Sequence, residues 1–123
     1  MKLHHIALIA SDREKTSAFY GVLGFYVTAD QVRPEKNDEM LLMADGTVVL
    51  EVFVKRDAPK RPSYPEAYGL RHLALCPEDL DETVAKLREF GYVPEPIRKD
   101  SVTGKRLTFV ADPDGLPIEL HEE

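Results

Sequence analysis

This sequence nearly repeats itself, and no other feature constrains its fold as strongly. His5-Ile6-Ala7-Leu8 lies over His72-Leu73-Ala74-Leu75 at an offset of 67 residues. The same offset carries Asp12 onto Asp79, Thr16 onto Thr83, Tyr20 onto Leu87, Leu23 onto Phe90 and Gly24-Phe25 onto Gly91-Tyr92. Further on, Asp45-Gly46 precedes Val48-Val49-Leu50-Glu51, and Asp114-Gly115 precedes Leu116-Pro117-Ile118-Glu119; Glu51 and Glu119 are 68 apart, so one residue has slipped. Chance supplies one such match, not an ordered set. The chain reads as two copies of one module, about residues 1–57 and 68–123, joined by a linker at 58–67. Its 123 residues suit one domain holding both copies.

Each copy reads as strand, helix, then three strands. Residues 3–9 and 71–75 are short apolar runs of the buried β type. The first helix starts at Ser11 or Asp12, with Ser11 and Glu14 spaced as a capping box. Thr16, Phe19, Tyr20 and Leu23 form its apolar stripe, and Gly24 ends it. The second starts at Asp79, buries Leu80, Val84 and Leu87, and stops at Gly91. Strands are expected at about 24–30, 39–44 and 47–54, then at 91–98, 105–110 and 117–121. Asp-Gly turns join the last pair each time. The class is α+β: two βαβββ modules whose sheets curve around a shared cleft. The linker, rich in proline, reads as a stiff spacer or as a lid bringing Arg61 or Tyr64 to a ligand.

Composition narrows the partners. With 16 Lys+Arg against 22 Asp+Glu the net charge is −6, a poor field for nucleic acid or an anionic membrane. A single cysteine, Cys76, excludes an internal disulfide or a CxxC zinc site. With no base beside it, it reads as inert. No apolar run approaches the roughly 20 residues of a membrane span, and the first residues lack the apolar stretch of an export signal. The expected location is the cytoplasm.

Strand alternation selects the residues that face the cleft. Leu50 and Val52 belong to the helix side, which turns Glu51 away from it; Ile118 and Leu120 do the same for Glu119. Ile6 and Leu8 read as core, which sends His5 to the cleft, and Leu73 and Leu75 send His72 there. His4 falls on the core side, in a packing or hydrogen-bonding role. His121 shares the side of Glu119 but lies at a fraying end. Leu107 and Phe109 read as core, which points Arg106 and Thr108 into the cleft, Arg106 toward a substrate anion or a rim salt bridge. Two imidazoles and two carboxylates suit one borderline divalent metal: zinc or nickel first, then cobalt, manganese or iron. With no thiolate, the set fits an open site with room for water or substrate.

The residues around these four positions, His5 to Leu8, Leu50-Glu51-Val52, residues 71–75 and the run 112–120, resemble the vicinal oxygen chelate superfamily. More closely they resemble small bacterial glyoxalase I-like proteins. The resemblance covers the whole chain. It implies a metal set of His5, Glu51, His72 and Glu119 and a lactoylglutathione lyase-like metalloenzyme. The implied reaction is proton transfer on a hemithioacetal or 2-hydroxy-carbonyl through an ene-diolate, with Glu119 as base and Glu51 as ligand and partner base. Other chemistries of the superfamily are the alternatives: thiol transfer, epimerisation, ring-cleaving dioxygenation, or ligand binding without turnover, as in resistance proteins. Glyoxalase I proteins hold the glutathione carboxylates with an arginine on the first strand and an asparagine after the first metal Glu. Here Ile9 and Lys55 or its neighbours stand in those places. Arg33, Lys55, Arg61, Arg71 or Arg106 offer other anchors, suited to another thiol adduct or an oxo acid. A homodimer is expected, because pairing covers the sheet edges.

Overall fold

The structure is a computed structural model that describes all residues, Met1–Glu123. It divides into two compact units, Met1–Lys60 and Arg61–Glu123. Unit 1 runs β1 (Ile6–Ala10), α1 (Arg13–Val22), β2 (Tyr26–Arg33), a single 3-10 turn (Pro34–Lys36), β3 (Asp38–Ala44) and β4 (Val49–Val54). Unit 2 runs β5 (Leu73–Leu75), α2 (Leu80–Glu89), β6 (Arg98–Lys99), β7 (Arg106–Ala111) and β8 (Pro117–His121). The sheets have matching orders, β1-β4-β3-β2 and β5-β8-β7-β6. In each, the first strand of the unit lies parallel to the last, and the other pairs are antiparallel. The sequence repeat is thus a repeat of topology. No helix is long and apolar enough to cross a membrane.

Both helices begin and end by the same local chemistry. Asp12 and Asp79 have extended backbones, and each carboxylate accepts a bond from the N–H three residues on, at Lys15 and Glu82. Asp12, not Ser11, therefore caps α1. The last turns close through Gly24 and Gly91, at φ 94° and 89°. Phe25 N–H donates to Tyr20 O, and Tyr92 N–H to Leu87 O. This is the Schellman arrangement, in which a positive φ lets the chain turn back over the orphan carbonyls.

The helix stripes fall where alternation and 3.6-residue spacing put them. Thr16, Phe19 and Tyr20 are buried on α1, and Leu80, Val84 and Leu87 on α2. In unit 1 they belong with Leu41, Met43, Leu50 and Val52, and in unit 2 with Val110, Ile118 and Leu120. Phe19, Tyr20 and Phe25 meet edge to face.

The expected strand at 91–98 shrinks to Arg98–Lys99. Pro94 and Pro96 remove two ladder donors, so the segment cannot pair continuously. What attaches it to β7 is one backbone bond, Glu95 N–H to Phe109 O at 2.9 Å, and one from a side chain, Thr108 Oγ1 to Glu95 O at 2.6 Å. The boundary between the two units, after Lys60, falls within residues 58–67.

Candidate functional site

Parallel register builds the site in each unit. Ala7 lies opposite Glu51, and Ala74 lies opposite Glu119. The histidine two positions before each alanine therefore shares the carboxylate's side of the sheet. His5 Nε2 stands 3.8 Å from Glu51 Oε2, and His72 Nε2 stands 2.8 Å from Glu119 Oε2. On the other side, Leu50, Val52, Ile118 and Leu120 are buried. The Glu119 side chain is 13% exposed and that of Glu51 24%, so both carboxylates are sheltered but reachable.

The rings are oriented by their neighbours. Nδ1 of His5 shares a hydrogen bond of 2.8 Å with Nδ1 of His4, one ring donating and the other accepting. That leaves Nε2 of His5 for Glu51, the division of labour by which a ligand imidazole is held. Phe109 packs edge-on against His72, with centroids 5.2 Å apart. Neither unit by itself gathers three or more His, Cys, Asp or Glu side chains in a metal-binding cluster; each holds one pair.

The cations around the two pairs are used differently. In unit 1 the fully buried Asp38 carboxylate receives Arg33 through Nε at 2.7 Å and Nη2 at 2.6 Å, and Lys55 Nζ at 2.8 Å. Arg33, then Lys55, hold that carboxyl well below the usual carboxylate range. The Arg33 guanidinium also lies 4.8 Å over the Phe53 ring, two residues along β4 from Glu51. Ile9, on the same side of β1 as Ala7, is exposed.

Unit 2 has an open cleft of about 800 Å³, lined by residues that include Arg61, Tyr64, Tyr68, His72, Arg98 and Phe109. Arg61 Nη2 donates to the carbonyls of Leu70 and Arg71 at 3.3 and 2.9 Å, just before His72, while its Nε is buried without a partner. Arg71, also on the lining, is paired to Glu66 at 2.5 Å. Arg98 lies 5.8 Å over the Phe109 ring.

Two expected site residues face elsewhere. Phe109 is the register partner of Glu119 and Thr108 that of Leu120, so Phe109 takes the Glu119 side and Thr108 the core side. Thr108 is fully buried and spends its hydroxyl on Glu95. Arg106 is clamped by Asp81 at 2.8 Å and Glu122 at 2.6 Å. Asp81, then Glu122, raise its pKa further, and it is an ion-pair centre of the helix side. His121 is paired to Asp100 at 3.2 Å, and Cys76 is exposed. Sequence reasoning missed Arg98 and Phe109. The prolines flanking Glu95 were the available signal, since they bring Arg98 to β7 as a stub.

A family model described as the Glyoxalase/Bleomycin resistance protein/Dioxygenase superfamily matches residues 2–120. The chain belongs to this superfamily. The uncharacterized protein YwkD of Bacillus subtilis (strain 168) is 50% identical over 123 residues, covering 98% of this chain and 96% of that protein. The crystal structure of a glyoxalase family protein from Enterococcus faecalis is 51% identical, with a TM-score of 0.92 over 98% of this chain and 97% of that one. Lactoylglutathione lyase of Salmonella typhimurium is 28% identical over 130 residues, covering 99% of this chain and 93% of that enzyme.

Proposed function

We propose that this protein is a metal-dependent, glyoxalase I-like lyase or isomerase that moves a proton between adjacent carbons of a hemithioacetal or 2-hydroxy-carbonyl. The observation that carries the reading is the duplicated His–Glu pair, set by the same parallel register in each unit. The similarity to a lactoylglutathione lyase supports the reaction class. Imidazole nitrogen with carboxylate oxygen and no thiolate suits zinc or nickel, and also cobalt, manganese or iron. His5, Glu51, His72 and Glu119 are the proposed ligands. Two ligands do not fill a coordination sphere, so the reading requires a pair from each unit, supplied by one chain or by two copies in a homodimer.

A bound divalent ion would supply Lewis acidity toward the substrate's vicinal oxygens. The chain's own residues do the rest. His4 and Phe109 fix the ring planes of His5 and His72. Glu119, the more sheltered carboxylate, takes the proton from one carbon and returns it to the next, because a proton held away from bulk water is not lost to it. Glu51 completes the ligand set and is the partner base.

The test is isomerisation of the hemithioacetal of methylglyoxal and glutathione by protein loaded separately with nickel and zinc, with metal content measured on the same samples. Turnover that falls about 100-fold or more in Glu119→Gln, with metal retained, is the expected result. Full activity in that variant would reject Glu119 as base, and failure to bind metal would reject the site. No turnover at full occupancy would keep the site and exclude glutathione. A monomeric mass with full metal occupancy would exclude a site shared between copies.

A further inference from the structure

We infer that the cleft of unit 2 is an anion subsite centred on the Arg98–Phe109 stack, and that the substrate carries a carboxylate set off from its reacting carbonyl by a planar or apolar spacer. Each unit carries an arginine–phenylalanine stack, built on different strands and with opposite outcomes. Each stacks an arginine over a phenylalanine on the carboxylate side of its sheet, Arg33 over Phe53 and Arg98 over Phe109. Arg33 is neutralised by the buried Asp38. The arginine ion pairs of unit 2 go to Arg71, with Glu66, and to Arg106, with Asp81 and Glu122; Arg98 makes none.

A guanidinium lying on a ring keeps its N–H edge free, and that edge matches a carboxylate in two parallel bonds. The local charge agrees. The cleft is bordered by Arg61, Arg71 and Arg98 against Glu66 and Glu95, with Glu66 spent on Arg71. That leaves a positive balance within a chain whose net charge is −6. Phe109 also sets the spacing, since its ring meets Arg98 at 5.8 Å and His72 at 5.2 Å. A ligand whose carboxylate sits on Arg98 and that extends along the Phe109 ring approaches His72. The carboxylate contact stands on unit 2 alone; only the placing of the carbonyl beside His72 rests on the metal reading.

The probes are 4-acetylbenzoate and its neutral counterpart 4-acetylbenzamide, titrated calorimetrically into the full chain with and without bound nickel. The acid should bind about tenfold or more tightly than the amide, the usual gain of a charge-assisted pair. Arg98→Gln should reduce that preference to less than twofold, and Arg98→Lys, with charge but no planar fork, should restore part of it. Arg98 is exposed, so these variants should melt as the parent does. Equal affinity for acid and amide, an unchanged preference in Arg98→Gln, or no binding of either probe would overturn the inference. An Arg98-dependent preference that nickel leaves untouched would sustain the subsite while counting against the metal reading, so the two fail separately.

Discussion

Thr108→Val separates two roles that one residue can have on a strand. The threonine is fully buried, and its hydroxyl makes a 2.6 Å bond to the Glu95 carbonyl. That bond is one of two that fasten the proline-flanked segment to β7, the other being Glu95 N–H to Phe109 O. Valine keeps the shape and removes the donor, so one hydrogen bond is lost at a cost of about 0.5–1.5 kcal/mol. In a chain of 123 residues, each kcal/mol lowers the melting temperature by about 4 °C, so a drop of about 2–6 °C is expected. Hydrogen exchange adds a local readout, because the Glu95 amide should lose protection in Thr108→Val and keep it in Thr108→Ser. The assay is thermal melting with amide exchange on both variants, alongside turnover. A Thr108→Val protein that melts within about 1 °C of the parent would refute the argument from burial and bonding. Lost activity at an unchanged melting temperature would return the hydroxyl to the substrate face.

Other perturbations test the frame and its charges. Leu87→Ala removes a fully buried side chain from α2 and should cost about 2–5 kcal/mol by chemical denaturation, while Phe90→Ser, at an exposed position, should cost well under that. At Gly91 an added Cβ meets nothing within 4 Å, but φ is 89°, so Gly91→Ala should cost about 1–2 kcal/mol through the backbone alone; a neutral result would remove the Schellman argument. Asp38 is held below its ordinary value of 3.8 by Arg33 and Lys55. A depressed folded-state pKa means stability that is present above the unfolded value and lost as the pH falls below it. The melting gap between the parent and Asp38→Asn should therefore hold steady from about pH 7 to 5 and narrow below about pH 4; a gap unchanged near pH 3 would contradict the assignment.

What could be read from the sequence depended on contrast between the two sides of a strand. Around Glu51 and Glu119 the neighbours are Leu50, Val52, Ile118 and Leu120, all buried on the opposite side. Alternation there has one solution. In β7 it has two, since Leu107 on one side and Thr108 and Val110 on the other are all buried. A strand covered on both sides offers no polar face to read, and the apolar ring of Phe109 drew the assignment to the wrong side. Threonine enters the core because its hydroxyl finds an acceptor, a pairing that depends on where residues 94–97 run. The cap of α1 stayed open between Ser11 and Asp12 for a smaller reason, because both are competent acceptors and only the helix register chooses Asp12. Residues 91–98 were overcalled because the repeat predicted a strand where two prolines forbid a ladder.

That last departure bears on function. A repeat copies backbone register faithfully, because the parallel pairing of first and last strands needs only the apolar alternation that both copies retain. Side-chain charge is under no such constraint. In unit 1, β2 pairs with β3 at seven positions, and this brings Arg33 opposite Asp38 as register partners. In unit 2 the strand in the corresponding place is two residues long, and Arg98 lies opposite Leu107. By register Arg98 answers to Gln31, since Met40 and Leu107 each stand two residues before the partner of the site glutamate, so Arg98 has an apolar residue across from it and the Phe109 ring of β7 beneath it. The second copy thus places a cation open to a ligand where the first holds a neutral glutamine.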